Sequence, residues 1–305
     1  MFCSPQPVDH QSRSYKESVK VAYENLDRFI TEGHENIRIS GNDPIEAEKE
    51  VLFDLVDKAS RQSVVELATN GIKCADLEFT RELINRGVQV FNMPIYGSTE
   101  EIHQSVIHNG SLSSILEAFE NIVNLGGYLS TLTALTKRNA DDIVNILNVI
   151  LAAVGEYRDS VHQIVLSVIY IPYIGYEGVD DWYLPFGQFV DYMPDILEYV
   201  ENNKFLSSKV LFVGFPFCVF GKKSHIIINH FNKKYLLTSY KKQVGTYRPA
   251  SKATSDMDAN IPSYRVQVNP DELCTRCIYK KECGGIPEHD YRLYGIGKLR
   301  PIESV

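Results

Sequence analysis

Apolar residues in the first two thirds of the chain alternate between short runs and helical spacing. Ile37 and Ile39 form a short run, and Val64 to Ala68 form another. Between them, apolar residues recur with the period of a helix at Val51, Leu52, Leu55, Val56 and Ala59. Two strands joined by a helix make a parallel βα unit, so the pattern predicts one such unit from Ile37 to Gly71.

The same alternation continues along the chain. A helix rich in apolar positions, including Val19 and Leu26, precedes the first strand. The further elements that the pattern predicts are a helix over Asp76 to Arg86, a strand over Val88 to Met93, a helix burying Ile115, Phe119, Ile122 and Val123, a strand over Tyr128 to Thr136, a helix with Ile143, Ile146, Leu147, Ile150 and Val154, a strand over Ile164 to Ile171, and a helix over Pro194 to Asn202. Sustained β-α alternation predicts an α/β fold with a parallel sheet or barrel. Because the alternation opens with a helix, we expect a partial (β/α) barrel whose first strand is missing.

From about Val210 the pattern of apolar positions changes. Val210 to Val213 is predicted as a strand, and two short apolar runs at Ile226 to Ile228 and Tyr235 to Leu237 predict a hairpin. Lys241 to Pro262 has no periodicity and is predicted as a long loop. A tail rich in cysteine and glycine follows it. We therefore expect a barrel domain over residues 1–205 and a small cysteine-rich domain over residues 206–305.

Composition narrows the class of protein. The chain has 305 residues, of which 44% are hydrophobic and 23% charged, as in globular domains. It has neither an apolar run of about 18 residues nor the layout of a signal peptide, so we expect a cytoplasmic protein without membrane association. The net charge of -8 argues against nucleic acid as a main partner.

Three of the six cysteines lie close together near the C-terminus, at Cys274, Cys277 and Cys283. In a reducing compartment, clustered thiols are typical of metal ligands. Cys218 is the candidate fourth ligand, with a buried apolar thiol as the alternative. Cys74 follows a polar loop and is either near a site or a small core residue.

Two polar loops end the predicted strands of the first βα unit. They are Gly41-Asn42-Asp43-Pro44 and Thr69-Asn70-Gly71. Ligands bind at the carboxyl ends of strands in such folds. Taken singly, each loop also fits an ordinary turn.

The order of these loops resembles that of the radical S-adenosylmethionine (radical SAM) enzymes. Cys3 resembles the third cysteine of that family's CxxxCxxC loop, and Gly41 to Pro44 resembles its Gly-Gly-Glu-Pro loop. Thr69 to Gly71 matches the family's Thr-Asn-Gly. Ser98, after Gly97, and then His103 follow the family's spacing.

The resemblance implies a function. Members hold a [4Fe–4S] cluster and cleave S-adenosylmethionine (SAM) reductively to a 5′-deoxyadenosyl radical, which abstracts hydrogen from a substrate. It implies a peptide or small-metabolite substrate and an electron donor such as flavodoxin or ferredoxin. The alternative is a non-catalytic remnant or binding protein with a structural four-cysteine metal site.

The resemblance also assigns residues. Gly41, Asn42, Asp43 and Pro44 would hold the methionine amino group, with Asn70 in the same site. Ser98 would approach the ribose. Lys137 or Arg138 would pair with the methionine carboxylate, although a solvated charge pair is the alternative.

The cysteine-rich tail resembles the SPASM or twitch extension of many radical SAM enzymes. That resemblance implies an auxiliary [4Fe–4S] cluster on Cys274, Cys277 and Cys283, with Cys218 as the fourth ligand. A zinc site is the alternative for the same four thiols.

Cys3 is the one cysteine of the catalytic-cluster loop in the chain. Counting back from it, the other two would fall immediately before Met1 and four residues farther upstream. We expect Met1 to be an internal or misassigned start, in agreement with the missing first strand.

Overall fold

The computed structural model describes residues 8–41, 43–107, 110–169, 177–223 and 267–304. The described chain forms two compact units. The first comprises the residues before Ala134 together with Asn145–Ile164, and the second comprises Ala134–Val144 and the residues after Ile164. The domain boundary at residue 205 remains a prediction.

Helices and strands alternate through the first part of the chain. They are α1 (Arg13–Thr31), β1 (Asn36–Ile39), α2 (Lys49–Ala59), β2 (Val64–Ala68), α3 (Leu77–Arg86), β3 (Val88–Pro94), α4 (Glu100–Val106), α5 (Leu112–Asn124), β4 (Tyr128–Leu135), α6 (Ile143–Val154) and β5 (Val161–Val168). The later elements are α7 (Val179–Trp182), α8 (Phe186–Phe189), α9 (Met193–Asn202), α10 (Lys204–Lys209), β6 (Val210–Val213), β7 (Gln267–Val268), α11 (Asp271–Cys274), β8 (Ile286–Pro287) and α12 (Glu288–Tyr294).

Six strands form one sheet in the order β1-β2-β3-β4-β5-β6. The first three neighbouring pairs are parallel, with Ile37 opposite Val65 and Leu67 opposite Phe91. Each strand lies beside its neighbour in sequence, so these six strands wind in one direction. Because parallel crossovers are right-handed, such winding places the connecting helices on one face of the sheet. The predicted α/β fold is confirmed.

The helix-covered face of the sheet forms the core of the first unit. Val65, Leu67 and Phe91 have no solvent exposure, and Val56 of α2 and Phe119 of α5 are equally buried. Each such side chain contributes about 1.5–3 kcal/mol by leaving water. The opposite face of the same strands carries polar side chains, which leaves it available for a site.

Local capping explains why the predicted helix ends were accurate. The side chain of Asp76 accepts hydrogen bonds from the N–H groups of Glu78 and Phe79, which begins α3. Gly87 ends the helix in the left-handed conformation, at φ 110°. The predicted helix from Asp76 to Arg86 is therefore confirmed.

The prediction for β5 was wrong at its start. The strand begins at Val161, three residues before the predicted Ile164, because the polar His162 and Gln163 lie between buried positions and hide its beginning. From Ile164 to Val168 its side chains alternate in burial. Ile171, the predicted last residue, lies outside the described residues, as do the predicted hairpin and long loop between residues 226 and 262.

The second unit has its own aromatic core. The rings of Phe189 and Phe215 lie 5.1 Å apart, and those of Phe212 and Phe220 lie 5.3 Å apart, both pairs edge to face. Strands β7 and β8 pair in an antiparallel ladder that precedes α12. In the described parts of the chain, no helix is long and apolar enough to cross a membrane.

Candidate active site and metal centre

Asp43 joins the loops that follow β1 and β2. Its side chain is buried, and its Oδ1 accepts hydrogen bonds from the Thr69 hydroxyl at 2.7 Å and from the Ile45 N–H at 3.3 Å. Its Oδ2 accepts from the Asn70 N–H at 3.0 Å. The structure thus brings together Asp43, Pro44 and Asn70, three of the predicted cofactor residues, next to the buried Thr69. Asn42 lies outside the described residues.

Two opposing effects act on this carboxyl group. Burial raises the pKa of Asp43, and the hydrogen bonds from Asn70, Thr69 and Ile45 oppose that rise because they favour the charged form. Three donors fix both carboxylate oxygens in place. The group is therefore an oriented acceptor at the carboxyl end of the sheet.

The Thr69-Asn70-Gly71 loop depends on a glycine at its last position. Gly71 has φ 82°, in the left-handed region, and a Cβ there would lie 1.8 Å from Met93 Cε. The Asn70 side chain accepts a hydrogen bond from the Ile72 N–H at 2.9 Å, which closes the turn. The loop is held in one conformation that keeps the Asn70 backbone N–H pointed at Asp43.

The loop after β3 carries Ser98 and is fixed by His103. The ring Nδ1 of His103 accepts a hydrogen bond from the Tyr96 N–H at 3.2 Å. Burial lowers the pKa of His103, so the neutral ring is the accepting form. Gly97 permits this approach, since a Cβ on it would lie 2.4 Å from the His103 backbone nitrogen. Ser98 itself is half-buried.

A row of polar side chains on the face away from the helices escaped prediction. Glu66 Oε1 accepts hydrogen bonds from Arg38 Nη2 at 2.6 Å and from Asn92 Nδ2 at 3.0 Å. These three side chains lie on the same face of β1, β2 and β3, and Arg38 is directly opposite Glu66. A charged pair therefore lies on this face of the sheet. The signal was a charged or polar residue within each of three strands predicted as apolar, namely Arg38 in β1, Glu66 in β2 and Asn92 in β3.

Arg138 lies in the second unit, on an exposed turn after β4. The Thr136 N–H and hydroxyl both donate to Asn139 Oδ1, at 2.7 and 3.0 Å, which forms the turn. Arg138 Nε donates to the Asp181 carbonyl oxygen at 3.3 Å, and Lys137 Nζ donates to that of Asp180 at 2.8 Å. Both predicted carboxylate partners are thus held by backbone carbonyl groups.

Four cysteines of the second unit line one cavity. They are Cys218, Cys274, Cys277 and Cys283, the four predicted ligands of an auxiliary cluster. The Cys277 N–H donates to the Cys274 carbonyl oxygen at 3.2 Å in the turn that sets the CxxC spacing. Within the described ranges, no group of three or more His, Cys, Asp or Glu is arranged to hold a single metal ion. Cys3 lies outside the described residues.

The thiols of this cavity affect one another. Burial raises the pKa of Cys218, and the neighbouring Cys283, Cys274 and Cys277 raise it further because their charges would repel. The Gly285 N–H donates to Cys283 Sγ at 3.4 Å, as backbone amides do to metal-bound thiolates. Thiolates are ligands of both iron–sulfur clusters and zinc, but the four thiols are not arranged to hold a single metal ion, which favours a cluster.

One other candidate is structural. Cys74 is fully buried, which raises the pKa of its thiol to about 12, so it is a core residue and not a ligand of the described sites.

A family model and curated relatives each match about half of the chain. Residues 1–150 match the model of the Radical SAM superfamily. Over 150 residues the chain is 23% identical to the GTP 3',8-cyclase of Campylobacter jejuni subsp. doylei, covering 48% of this chain and 46% of the cyclase. The match thus spans less than half of that relative.

Solved structures share the fold. Streptococcus suis SuiB bound to S-adenosylmethionine is 10% identical, with a TM-score of 0.55 over 99% of this chain and 72% of SuiB. The structure of anSMEcpe with bound AdoMet and Kp18Cys peptide is 16% identical, with a TM-score of 0.50 over 63% of this chain and 54% of that chain. Together with the parallel sheet, these similarities show that residues 1–150 match the Radical SAM superfamily and that the chain has the partial (β/α) barrel fold of these solved structures.

Proposed function

We propose that the chain binds SAM at the loops after β1, β2 and β3 and takes part in its reductive cleavage, acting on a peptide or small metabolite. The observation that carries the proposal is the buried Asp43 carboxylate, held by Thr69 and Asn70 where two neighbouring parallel strands end. Its position within the matched residues 1–150 supports a cofactor site over an ordinary turn.

Asp43 would serve the methionine ammonium group of SAM. The carboxylate is already oriented by three donors, and Oδ2 accepts only the Asn70 N–H among the described residues. An ammonium group beside it would favour the ionised carboxylate and lower the pKa that burial raises. Gly41 and Pro44 lie within two residues of Asp43 in sequence and would shape the pocket around that group.

Other residues would hold the rest of the cofactor. Ser98, fixed in place by the Tyr96–His103 contact, would bind the ribose through its hydroxyl. Arg138 would bind the methionine carboxylate, since guanidinium groups pair strongly with carboxylates. Asn70 would keep its backbone N–H on Asp43 and line the same pocket.

The second unit would hold an auxiliary [4Fe–4S] cluster. Four thiols line one cavity there, and the Gly285 N–H donates to one of them. When bound, SAM and a reduced cluster supply an organic radical that abstracts hydrogen. The described cysteines are all free thiols, which suits a reducing, cytoplasmic location.

The substrate and the electron donor are proposed at the level of class. Peptides occur in the SuiB complex with precursor peptide SuiA and in the anSMEcpe complex, whereas the curated relative is a GTP cyclase. A peptide or small metabolite fits this range. A flavodoxin or ferredoxin would deliver the electron.

Equilibrium binding of SAM to the purified chain tests the proposal. Wild type should bind SAM saturably, and Asp43→Ala should weaken binding at least tenfold. Asp27→Ala, on the exposed face of α1, is the matched control and should bind like wild type. A wild-type chain that shows no saturable SAM binding would refute the proposal. Binding of one zinc without sulfide at the four thiols would favour the non-catalytic alternative.

A further inference from the structure

The turn that carries Lys137 and Arg138 is held by a neighbouring segment of the second unit, residues 178–186. The Lys137 N–H donates to the Trp182 carbonyl oxygen at 2.9 Å. Lys137 Nζ donates to the Asp180 carbonyl oxygen and Arg138 Nε to that of Asp181. Three consecutive carbonyl groups of α7 thus accept hydrogen bonds from this turn. The position of the turn therefore depends on the position of segment 178–186.

That segment is in turn fixed by one carboxylate oxygen. Asp290 Oδ2 accepts hydrogen bonds from the Tyr183 hydroxyl at 2.7 Å and from the Phe186 N–H at 3.2 Å. Asp290 lies in α12, so the contact joins that helix to both ends of the Tyr183–Phe186 stretch. Tyr294, one turn later, adds a second tie by donating its hydroxyl to Asp180 Oδ1 at 2.6 Å.

Aromatic packing surrounds these hydrogen bonds. The rings of Tyr183 and Tyr294 stack with their centroids 5.8 Å apart, and Trp182 packs on Tyr183. Asp290 is 1% exposed, and its Oδ1 has no hydrogen-bond partner within the described residues. A buried carboxyl group with one unpaired oxygen costs stability. Asp290 therefore contributes to geometry, because its Oδ2 alone positions the Tyr183 hydroxyl and the Phe186 N–H.

We propose that Asp290 is a positioning residue for the Lys137–Arg138 turn, acting through Tyr183 and segment 178–186. The role of that turn toward the cofactor carboxylate rests on the proposed function, whereas the mechanical link does not. Helix α12 directly follows the four-cysteine site and β8. Through Asp290, helix α12 thus determines the position of Arg138.

Hydrogen exchange on the ligand-free, full chain measures the link. Asp290→Ala removes both acceptor contacts and should speed exchange of the Lys137 amide at least tenfold relative to the amides of β2. Tyr183→Phe removes only the hydroxyl and leaves the ring, so it should give a smaller acceleration. Tyr192→Phe, a half-buried tyrosine that α12 does not bond, is the control and should leave Lys137 exchange unchanged.

SAM binding by the same variants connects the link to the cofactor. Asp290→Ala should weaken SAM binding several-fold, and adding Arg138→Ala to it should cause no further loss beyond that of Arg138→Ala alone. Lys137 exchange within twofold of wild type in both Asp290→Ala and Tyr183→Phe would overturn the proposal. A wild-type chain that binds no SAM would refute the proposed function, and the exchange data would still decide the link.

Discussion

The Thr69 hydroxyl donates to the Asp43 carboxylate at 2.7 Å across 26 positions of sequence. The bond is buried and connects the two loops that end β1 and β2. Both residue types are common in turns, but only the pairing of their strands makes them neighbours. The contact therefore ties the candidate site to the register of the sheet.

A double-mutant cycle measures this contact. Asp43→Asn and Thr69→Val should each lower the free energy of unfolding. The double variant should lose about 1.5–3 kcal/mol less than the sum of the two single losses, as for a hydrogen bond to a charged group. Urea unfolding gives the four free energies. Thr31→Val, on exposed α1, is the control partner and should add to Asp43→Asn. Additivity of the Asp43 and Thr69 changes would contradict the contact.

Gly71 and Gly126 form a matched pair for the loop after β2. Both have left-handed backbones, at φ 82° and 83°, but a Cβ meets Met93 only at Gly71 and finds nothing within 4 Å at Gly126. Alanine should cost about 1–2 kcal/mol at either position from the backbone alone. Gly71→Ala should cost more than Gly126→Ala, because the buried Met93 side chain would have to move. Thermal unfolding measures both, and equal losses would contradict the close packing.

Iron and sulfide analysis tests the four-cysteine site. After anaerobic reconstitution, wild type should contain iron and sulfide in near-equal amounts in this site. Cys277→Ala and Cys218→Ala should each lose most of both, and Cys277→Ala should expose the chain beyond Asn269 to protease. Cys74→Ala is the control, since its thiol lies in the core of the first unit. Iron retention by Cys218→Ala equal to wild type would remove that residue from the ligand set.

Asp290 should make stability depend on pH. Burial raises its pKa from 3.8 to about 6, so the folded state holds the proton more tightly than the unfolded state. The stabilisation from this group is complete below about pH 4 and is lost as pH rises through 6, a change of about 3 kcal/mol. Asp290→Asn cannot ionise. Its free energy of unfolding should therefore rise relative to that of wild type by about that amount between pH 4 and 7.

Denaturant unfolding at several pH values measures the difference between Asp290→Asn and wild type. Asp195→Asn, an exposed change on α9, is the control and should follow wild type across the range. A constant difference between Asp290→Asn and wild type from pH 4 to 7 would show that burial does not shift this carboxyl group.

Much of the fold follows from local signals. The strand from Val64 to Ala68 and the helix from Asp76 to Arg86 were predictable because their apolar period and their caps agree. The pairing of the Asp43 and Thr69 loops was also predictable, since the carboxyl ends of adjacent parallel strands meet at one edge.

Other features depend on contacts that no local pattern encodes. Tyr183 and Asp290 are 107 positions apart, and no sequence feature around either residue predicts their hydrogen bond. Glu66 was hidden inside an apolar strand, although its alternate position places it opposite Arg38. The start of β5 was missed because the period of two is interrupted by His162.

Formation of 5′-deoxyadenosine tests the central claim most directly. An N-terminal extension with cysteines immediately before Met1 and four residues farther upstream would supply the family's complete cysteine loop, and the 305-residue chain is its matched control. After anaerobic reconstitution with iron and sulfide, and with dithionite and SAM, the extended protein should form 5′-deoxyadenosine. Asp43→Ala in the extended protein should lower the rate at least tenfold. An extended protein that gains iron over the control and binds SAM, yet forms no 5′-deoxyadenosine, would contradict the assignment.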